Sequence, residues 1–350
     1  MKRLLAGAPH RAIDAARLAS ANDLVRRTLS QHGLMQDVGG SVMSGLPDSM
    51  LRHAGAAPAA ATLVPGASFT DERFTCDAGS REYLIYVPAS ATAGASGVVM
   101  MLHGCTQTHR DFAAGTGMNA LAETHGFIVV YPQQSRGDNA QSCWNWFSPG
   151  DQRRGRGEPA ILAGMAAHVA AQHSVLAGRT FVAGLSAGAA MAVILGQTYG
   201  DVFAAIGVHS GLPFGAAKDV PSAFGAMAGH APEMRAHPAP DRVPRTIVFH
   251  GDADHTVHLS NGRRVAHDVV SAGPRQTLAR TEEGQRNGRR FTRDITETAD
   301  GVALLESWTI GGLGHAWSGG HAGGSYTDPA GPDASAEMVR FFLQQPENGA

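Results

Sequence analysis

Five consecutive apolar residues, Val98-Val99-Met100-Met101-Leu102, followed a little later by Ile128-Val129-Val130, constrain this chain more than any other feature. A strand with one wet face alternates apolar and polar residues. A continuous apolar run is expected where both faces are covered, as in a parallel sheet with helices on either side. Similar short runs recur, giving expected strands at Glu82–Val87, Val98–His103, Phe127–Tyr131, Thr180–Gly184, Ala204–Val208, Thr246–His250 and Ala303–Thr309. Helical segments at Glu158–Gln172 and Ala187–Tyr199 lie between them. Strands alternating with helices indicate an α/β fold with a mostly parallel sheet.

Ahead of this pattern the chain reads differently. Residues up to about Met35 suit a helix, with Asn22 or Asp23 able to cap it, Leu24, Val25 and Leu29 on one face, and Gly33 able to stop it. Asp37 to Ser68 is rich in Gly, Ala, Pro and Ser and reads as a linker. The expected organisation is therefore an N-terminal helical extension and linker over 1–67 and a catalytic domain over 68–345. A second stretch rich in Pro, Gly and Ala, Leu212–Arg245, reads as an insertion flanking the substrate entrance.

The bulk properties exclude several classes. A formal net charge of −2 without a long Lys/Arg run gives no basic stripe for nucleic acid or an anionic membrane. No apolar run approaches the roughly 20 residues needed to span a bilayer. Lys2 and Arg3 resemble the start of an export signal, but Arg11, Asp14 and Arg17 break up any apolar core, so a soluble cytoplasmic protein is expected. Cys76, Cys105 and Cys143 make no disulfide framework and lack metal-ligand spacing, which leaves open one pair plus one free thiol. The motif H-E-x-x-H is absent, so no metal and no cofactor is expected. The extension leaves a homo-oligomer open.

The chemistry concentrates in Gly184-Leu185-Ser186-Ala187-Gly188. A G-x-S-x-G match alone says little. Here the strand Thr180–Ala183 leads in and the apolar run from Ala189 leads out, which is the strand–turn–helix setting of the nucleophile elbow in the α/β-hydrolase fold. Ser186 is the expected nucleophile. A serine hydroxyl needs a base to take its proton and a third group to orient that base. On this fold they follow in the order Ser, Asp or Glu, His. Of 17 histidines, His315 stands out, because Gly311-Gly312-Leu313-Gly314 can carry it from the last expected strand to the sheet's carboxyl edge. Asp252 and Asp254 both follow the strand Thr246–His250; Asp254 suits a turn anchored by Val257, and Asp252 suits a residue bonding its own backbone. The oxyanion needs two backbone N–H groups. The amide of Ala187 and that of Cys105, in the loop after Leu102, are the candidates.

Taken in order, these motifs resemble the esterase family of polyhydroxybutyrate (PHB) depolymerases. The matching residues are Arg81–Pro88, His103-Gly104-Cys105-Thr106-Gln107, Tyr131-Pro132-Gln133, Cys143-Trp144-Asn145-Trp146, Gly184–Met191, His250–Val257, Gly314–Gly320 and Gly331-Pro332-Asp333-Ala334. The resemblance spans about Ser68 to Leu343 and implies hydrolysis of short-chain 3-hydroxyalkanoate polyesters or oligomers through an acyl-serine. Its pattern H-G-x-x-D-x-x-V puts the acid on Asp254. It makes Trp144, Trp146 and Trp317 candidates for an apolar wall around the acyl chain, and brings Cys105 and Cys143 close enough to pair. It also raises secretion as the alternative location. Feruloyl and acetylxylan esterases share much of the pattern, and a peptidase or acyltransferase on the same triad is a further alternative. A non-catalytic binding protein is disfavoured because Ser186, Asp254 and His315 are all present.

Overall fold

The computed structural model describes residues 63–230 and 242–344. The helix expected in the leader, and nearly all of the linker, lie outside the described residues. Ten strands form one sheet, in the order β1-β2-β4-β3-β5-β6-β7-β10-β9-β8. In chain order they are β1 (Ser68–Cys76), β2 (Gly79–Val87), β3 (Val98–Leu102), β4 (Ile128–Pro132), β5 (Thr180–Leu185), β6 (Ala205–His209), β7 (Arg245–Gly251), β8 (Thr277–Arg286), β9 (Arg289–Thr298) and β10 (Ala303–Ile310). The six strands β4, β3, β5, β6, β7 and β10 run parallel, while β1, β2, β9 and β8 are joined antiparallel at the two sides. All seven strands expected from the sequence are present, each within a few residues of its expected bounds.

The apolar runs are explained by what covers them. Val98, Met100 and Leu102 point into one core, Val99 and Met101 into the other. The first core lies under the helices α3 (Gly157–Gln172) and α4 (Ala187–Thr198), the second under α1 (His109–Thr116), α2 (Met118–His125) and α7 (Ala334–Leu343). Two more helices, α5 (Val220–Met227) and α6 (Ser260–Ala272), complete the first layer. α4 can lie close to the sheet because its sequence, AGAAMAVILGQT, is built of small and apolar residues. No helix among the described residues is long and apolar enough to cross a membrane. The stretch read as an insertion does not stand apart: Leu212, Ala216 and Ala217 are core residues, and Asp219 and Ser222 cap α5 reciprocally.

Three strands of the large sheet escaped the sequence reading for a common reason. β1, β8 and β9 present mostly polar, solvent-facing residues, so no apolar periodicity marks them. β8 and β9 form a hairpin inserted between α6 and β10, and it widens the sheet by two strands. Its one local signal is Asn287-Gly288, whose φ values of 43° and 82° are the left-handed pair a two-residue hairpin turn requires. The short pair β11 (Trp317–Ser318) and β12 (Thr327–Asp328) frames the loop after His315.

Register brings the strand ends flush. Leu102 pairs with Gly184, Leu185 with His209, His209 with Phe249, and Gly251 with Ile310. The residues that follow β3, β5, β7 and β10 therefore emerge along one edge, where open α/β sheets place their sites.

Candidate active site

Ser186 sits between β5 and α4 with φ 57° and ψ −118°, a conformation that costs a non-glycine residue on the order of 1–3 kcal/mol. The turn is held by Ser186 N donating to His209 O at 2.9 Å and by Ala190 N donating to Ser186 O at 2.9 Å. The flanking glycines are steric requirements. A Cβ on Gly188 would lie 2.1 Å from Leu102 O, and one on Gly184 would lie 2.4 Å from the Gly188 carbonyl carbon. The strand and helix thus touch through backbone, and the serine is thrust out at their junction.

The loop after β3 lies against it. A Cβ on Gly104 would be 3.7 Å from Ser186 Cβ. Gln107 folds this loop back on itself, its Oε1 accepting from Gly104 N at 2.9 Å while its Nε2 donates to Asp111 and to Ser325 O. Cys105 is disulfide-bonded to Cys143, with Cα atoms 4.2 Å apart, as the family resemblance implied. Ala187 begins α4, so its amide has no acceptor within the helix. The Cys105 amide likewise makes no hydrogen bond among the described residues.

Asp254 is fully buried at its side chain, and its Oδ2 accepts from His315 Nδ1 at 2.8 Å. Its Oδ1 accepts from Thr256 N at 3.0 Å and Val257 N at 2.9 Å, which is the turn anchored at Val257. Burial pushes this carboxyl up, but the His315 hydrogen bond and charge, with the Val257 amide and His250, outweigh it and hold the group well below the usual carboxylate range. Asp254 is therefore ionised. Because Nδ1 is the donor, Nε2 is left as the basic nitrogen of His315. No hydrogen bond joins Ser186 Oγ to the His315 ring among the described residues. Such catalytic bonds are commonly long before substrate binds.

Asp252 behaves differently from expectation. Instead of bonding its own backbone, its Oδ1 accepts from Gly312 N at 2.6 Å, across the sheet edge. With Ala253 N donating to Leu313 O at 3.2 Å and Arg289 donating to Gly311 O at 3.1 Å, it ties down the loop that carries His315. A second histidine supports the same loop from below. His209 lies stacked between Phe249 and Trp317, and its Nε2 accepts from Ser318 N at 3.1 Å. Burial, with the charges of His250 and His315, lowers its pKa to about 3, so the ring is neutral.

The three tryptophans are corrected by the structure. Trp317 packs edge-on against Phe112 and donates to Ser335 Oγ, and Trp144 lies beside His103 and donates to its carbonyl. Trp146 packs edge-on against Phe147. All three are buried in the two cores, so they brace the site from behind rather than forming an open wall. Sequence reasoning also missed Gln107, His209 and Glu158. Gln107 stood in a quoted motif without a role, and neither of the others carries a signal separable from ordinary core or helix-start residues.

A parallel sheet with this strand order, a serine on a strained elbow and an Asp–His pair on the same edge define the class: the α/β-hydrolase fold with the residues of a serine hydrolase. The chain belongs to the esterase PHB depolymerase family, which matches residues 81–270. It is 34% identical over 255 residues to poly(3-hydroxyalkanoate) depolymerase C of Paucimonas lemoignei, covering 69% of this chain and 60% of that protein. It is 31% identical over 193 residues to acetylxylan esterase A of Aspergillus oryzae, covering 51% of this chain and 62% of that one. The chain thus spans 60–62% of the length of these curated relatives. An acetyl xylan esterase from Aspergillus awamori shares the fold with a TM-score of 0.57 at 22% identity, over 79% of this chain and 98% of that structure.

Proposed function

We propose that the protein is a serine ester hydrolase acting through an acyl-serine intermediate on short-chain 3-hydroxyalkanoate polyesters or their oligomers. The observation that carries the reading is the Asp254–His315 hydrogen bond, formed on the edge where the Ser186 elbow also emerges.

In the proposed sequence His315 Nε2 takes the Ser186 proton as Oγ attacks the ester carbonyl. The ionised Asp254 holds the ring through Nδ1 and stabilises the imidazolium that forms. The negative carbonyl oxygen receives the amides of Cys105 and Ala187. His315 then gives its proton to the departing alkoxide, leaving an acyl-serine and a free alcohol. A water molecule, deprotonated by the same nitrogen, attacks the acyl group and releases the acid and Ser186.

The polyester substrate is supported by family membership and by the similarity to the Paucimonas depolymerase. The similarity to acetylxylan esterases supports an acetylated-sugar substrate as the second reading. For location, the Cys105–Cys143 bridge supports export to an oxidising compartment over the cytoplasm. The test uses purified full-length protein with p-nitrophenyl butyrate, then 3-hydroxybutyrate oligomers, feruloyl esters and acetylated xylo-oligosaccharides. Wild type is expected to cleave the butyrate and the hydroxybutyrate oligomers, and Ser186→Ala to lose both. Activity surviving in Ser186→Ala overturns the mechanism; acetyl-sugar cleavage without oligomer cleavage overturns the substrate.

A further inference from the structure

Glu158 lies at the start of α3 and is only 3% exposed. A buried carboxylate must be matched by donors. Its Oε2 accepts from Asn145 N at 2.8 Å; its Oε1 accepts from Asn145 Nδ2 at 2.8 Å, from Gln134 Nε2, and from Arg81 at 3.4 Å. Apart from Arg81, every one of these donors belongs to the loop 133–146 that follows β4.

That loop grips the oxyanion segment at several points. Gln134 N donates to His103 Nε2 at 3.1 Å, Thr106 N donates to Gln141 O at 2.7 Å, and Trp144 Nε1 donates to His103 O at 3.0 Å. The Cys143–Cys105 disulfide is the covalent tie. Gln134 Nε2 also donates to Cys143 O at 2.9 Å, so one amide group bridges Glu158 to the disulfide. Thr106, next to Cys105, has φ 65°, a conformation that local preference alone would not hold.

We infer that Glu158 is a positioning residue for the oxyanion hole: its carboxylate fixes the 133–146 loop, and through it the Cys105 amide relative to Ser186. The inference rests on the serine-hydrolase reading above. Only an ionised carboxylate offers acceptors alone to so many convergent N–H groups. A glutamine would aim an NH2 at them, and an apolar residue would strand them. The charged groups facing Glu158 are Arg81 from β2 and Asp151 from the turn before α3, while Asp138 of the loop pairs with Arg81 at 3.0 Å. Burial, with Asp151, pushes the carboxyl up to about 7, against the pull of Asn145, Arg81 and Gln134.

The test compares wild type with Glu158→Gln, both full-length and with the disulfide intact. A fluorophosphonate titration first counts competent serines, so that kcat is expressed per working site. A trifluoromethyl ketone, which adds to the serine and leaves an oxyanion, then reports on the hole itself. We expect kcat for p-nitrophenyl butyrate to fall at least about tenfold per titrated site. KM should stay within about twofold, and the ketone should weaken in the same ratio as kcat. Unchanged kcat per titrated site, with only fewer competent sites or a lower Tm, makes Glu158 merely structural and overturns the inference. So does a kcat loss with ketone affinity intact. If Glu158→Gln does not fold, Asn145→Ala removes one donor and is judged by the same two ratios. Failure of the underlying reading shows separately, as a wild type whose Ser186 takes no fluorophosphonate.

Discussion

Asp254 divides its carboxylate between two tasks: Oδ2 receives Nδ1 of His315 at 2.8 Å, and Oδ1 receives the amides of its own turn at Thr256 and Val257. The turn is therefore fixed by the same group that orients the imidazole.

Asp252 holds the His315 loop through backbone, Asp254 through the ring itself. Asp254→Asn should lower kcat by roughly 10³–10⁴, because an amide cannot hold the imidazole in the required tautomer. Asp252→Asn weakens one bond to Gly312 N and should cost on the order of tenfold. Steady-state kinetics on p-nitrophenyl butyrate distinguish them. Comparable losses in the two variants would contradict the assignment of Asp254 as the acid.

Gly188→Ala places a methyl 2.1 Å from Leu102 O and 2.6 Å from His103 O. Neither contact is with a flexible side-chain end, so α4 must back away from β3. We expect a loss of about 1–3 kcal/mol or more in stability and a near-complete loss of fluorophosphonate labelling at Ser186. Wild-type labelling in a folded Gly188→Ala would show that the elbow tolerates a wider approach.

The Cys105–Cys143 bridge closes a loop with a sequence separation of 38. Chain entropy assigns such a cross-link about 4 kcal/mol. Reduction under native conditions, or the double change Cys105→Ser with Cys143→Ser, should shift the urea midpoint down accordingly. It should also depress kcat, since Cys105 carries a proposed oxyanion amide. A reduced protein with full kcat would separate the bridge from the site.

Stability should fall on the acid side. Burial lowers His103 to about 4 and His209 to about 3, against 6.5 in the unfolded chain. Between those values the unfolded state binds more protons, so their contribution is complete above about pH 6.5 and is lost as pH falls through about 4 and 3. Glu158 acts with opposite sign. Its carboxyl is raised from 4.5 to about 7, so its contribution is complete below pH 4.5 and is lost as pH rises through about 7. Two histidines against one glutamate leave a net loss on the order of 3 kcal/mol on going from pH 6.5 to 4.5. Urea unfolding at the two pH values measures it, and a midpoint that stays level or rises on acidification would refute the balance.

The parts of the molecule legible beforehand were those written in local pattern. Runs such as Val98–Leu102 expose their double burial in consecutive residues, and Gly184–Gly188 carries the steric demand of a tight elbow within five positions. The chain order of Ser186, Asp254 and His315 follows from where strands end, which apolar runs already mark. The β8–β9 hairpin stayed hidden because its residues face water, leaving Asn287-Gly288 as the only local trace. The roles of Trp144, Trp146 and Trp317 were also beyond reach, since an indole that braces a core and one that lines a pocket are the same residue until its neighbours are known.

What the sequence determined by itself is the parallel centre of the sheet, its two-sided burial and the elbow, because each depends on residues within a few positions of one another. Only the tertiary structure decided that Asp254 meets His315, that Asp252 anchors Gly312 and that Glu158 gathers the 133–146 loop behind Cys105. Those contacts join segments far apart in the chain, and hydrogen-bond geometry and exclusion of water select them only after the strands have aligned their ends.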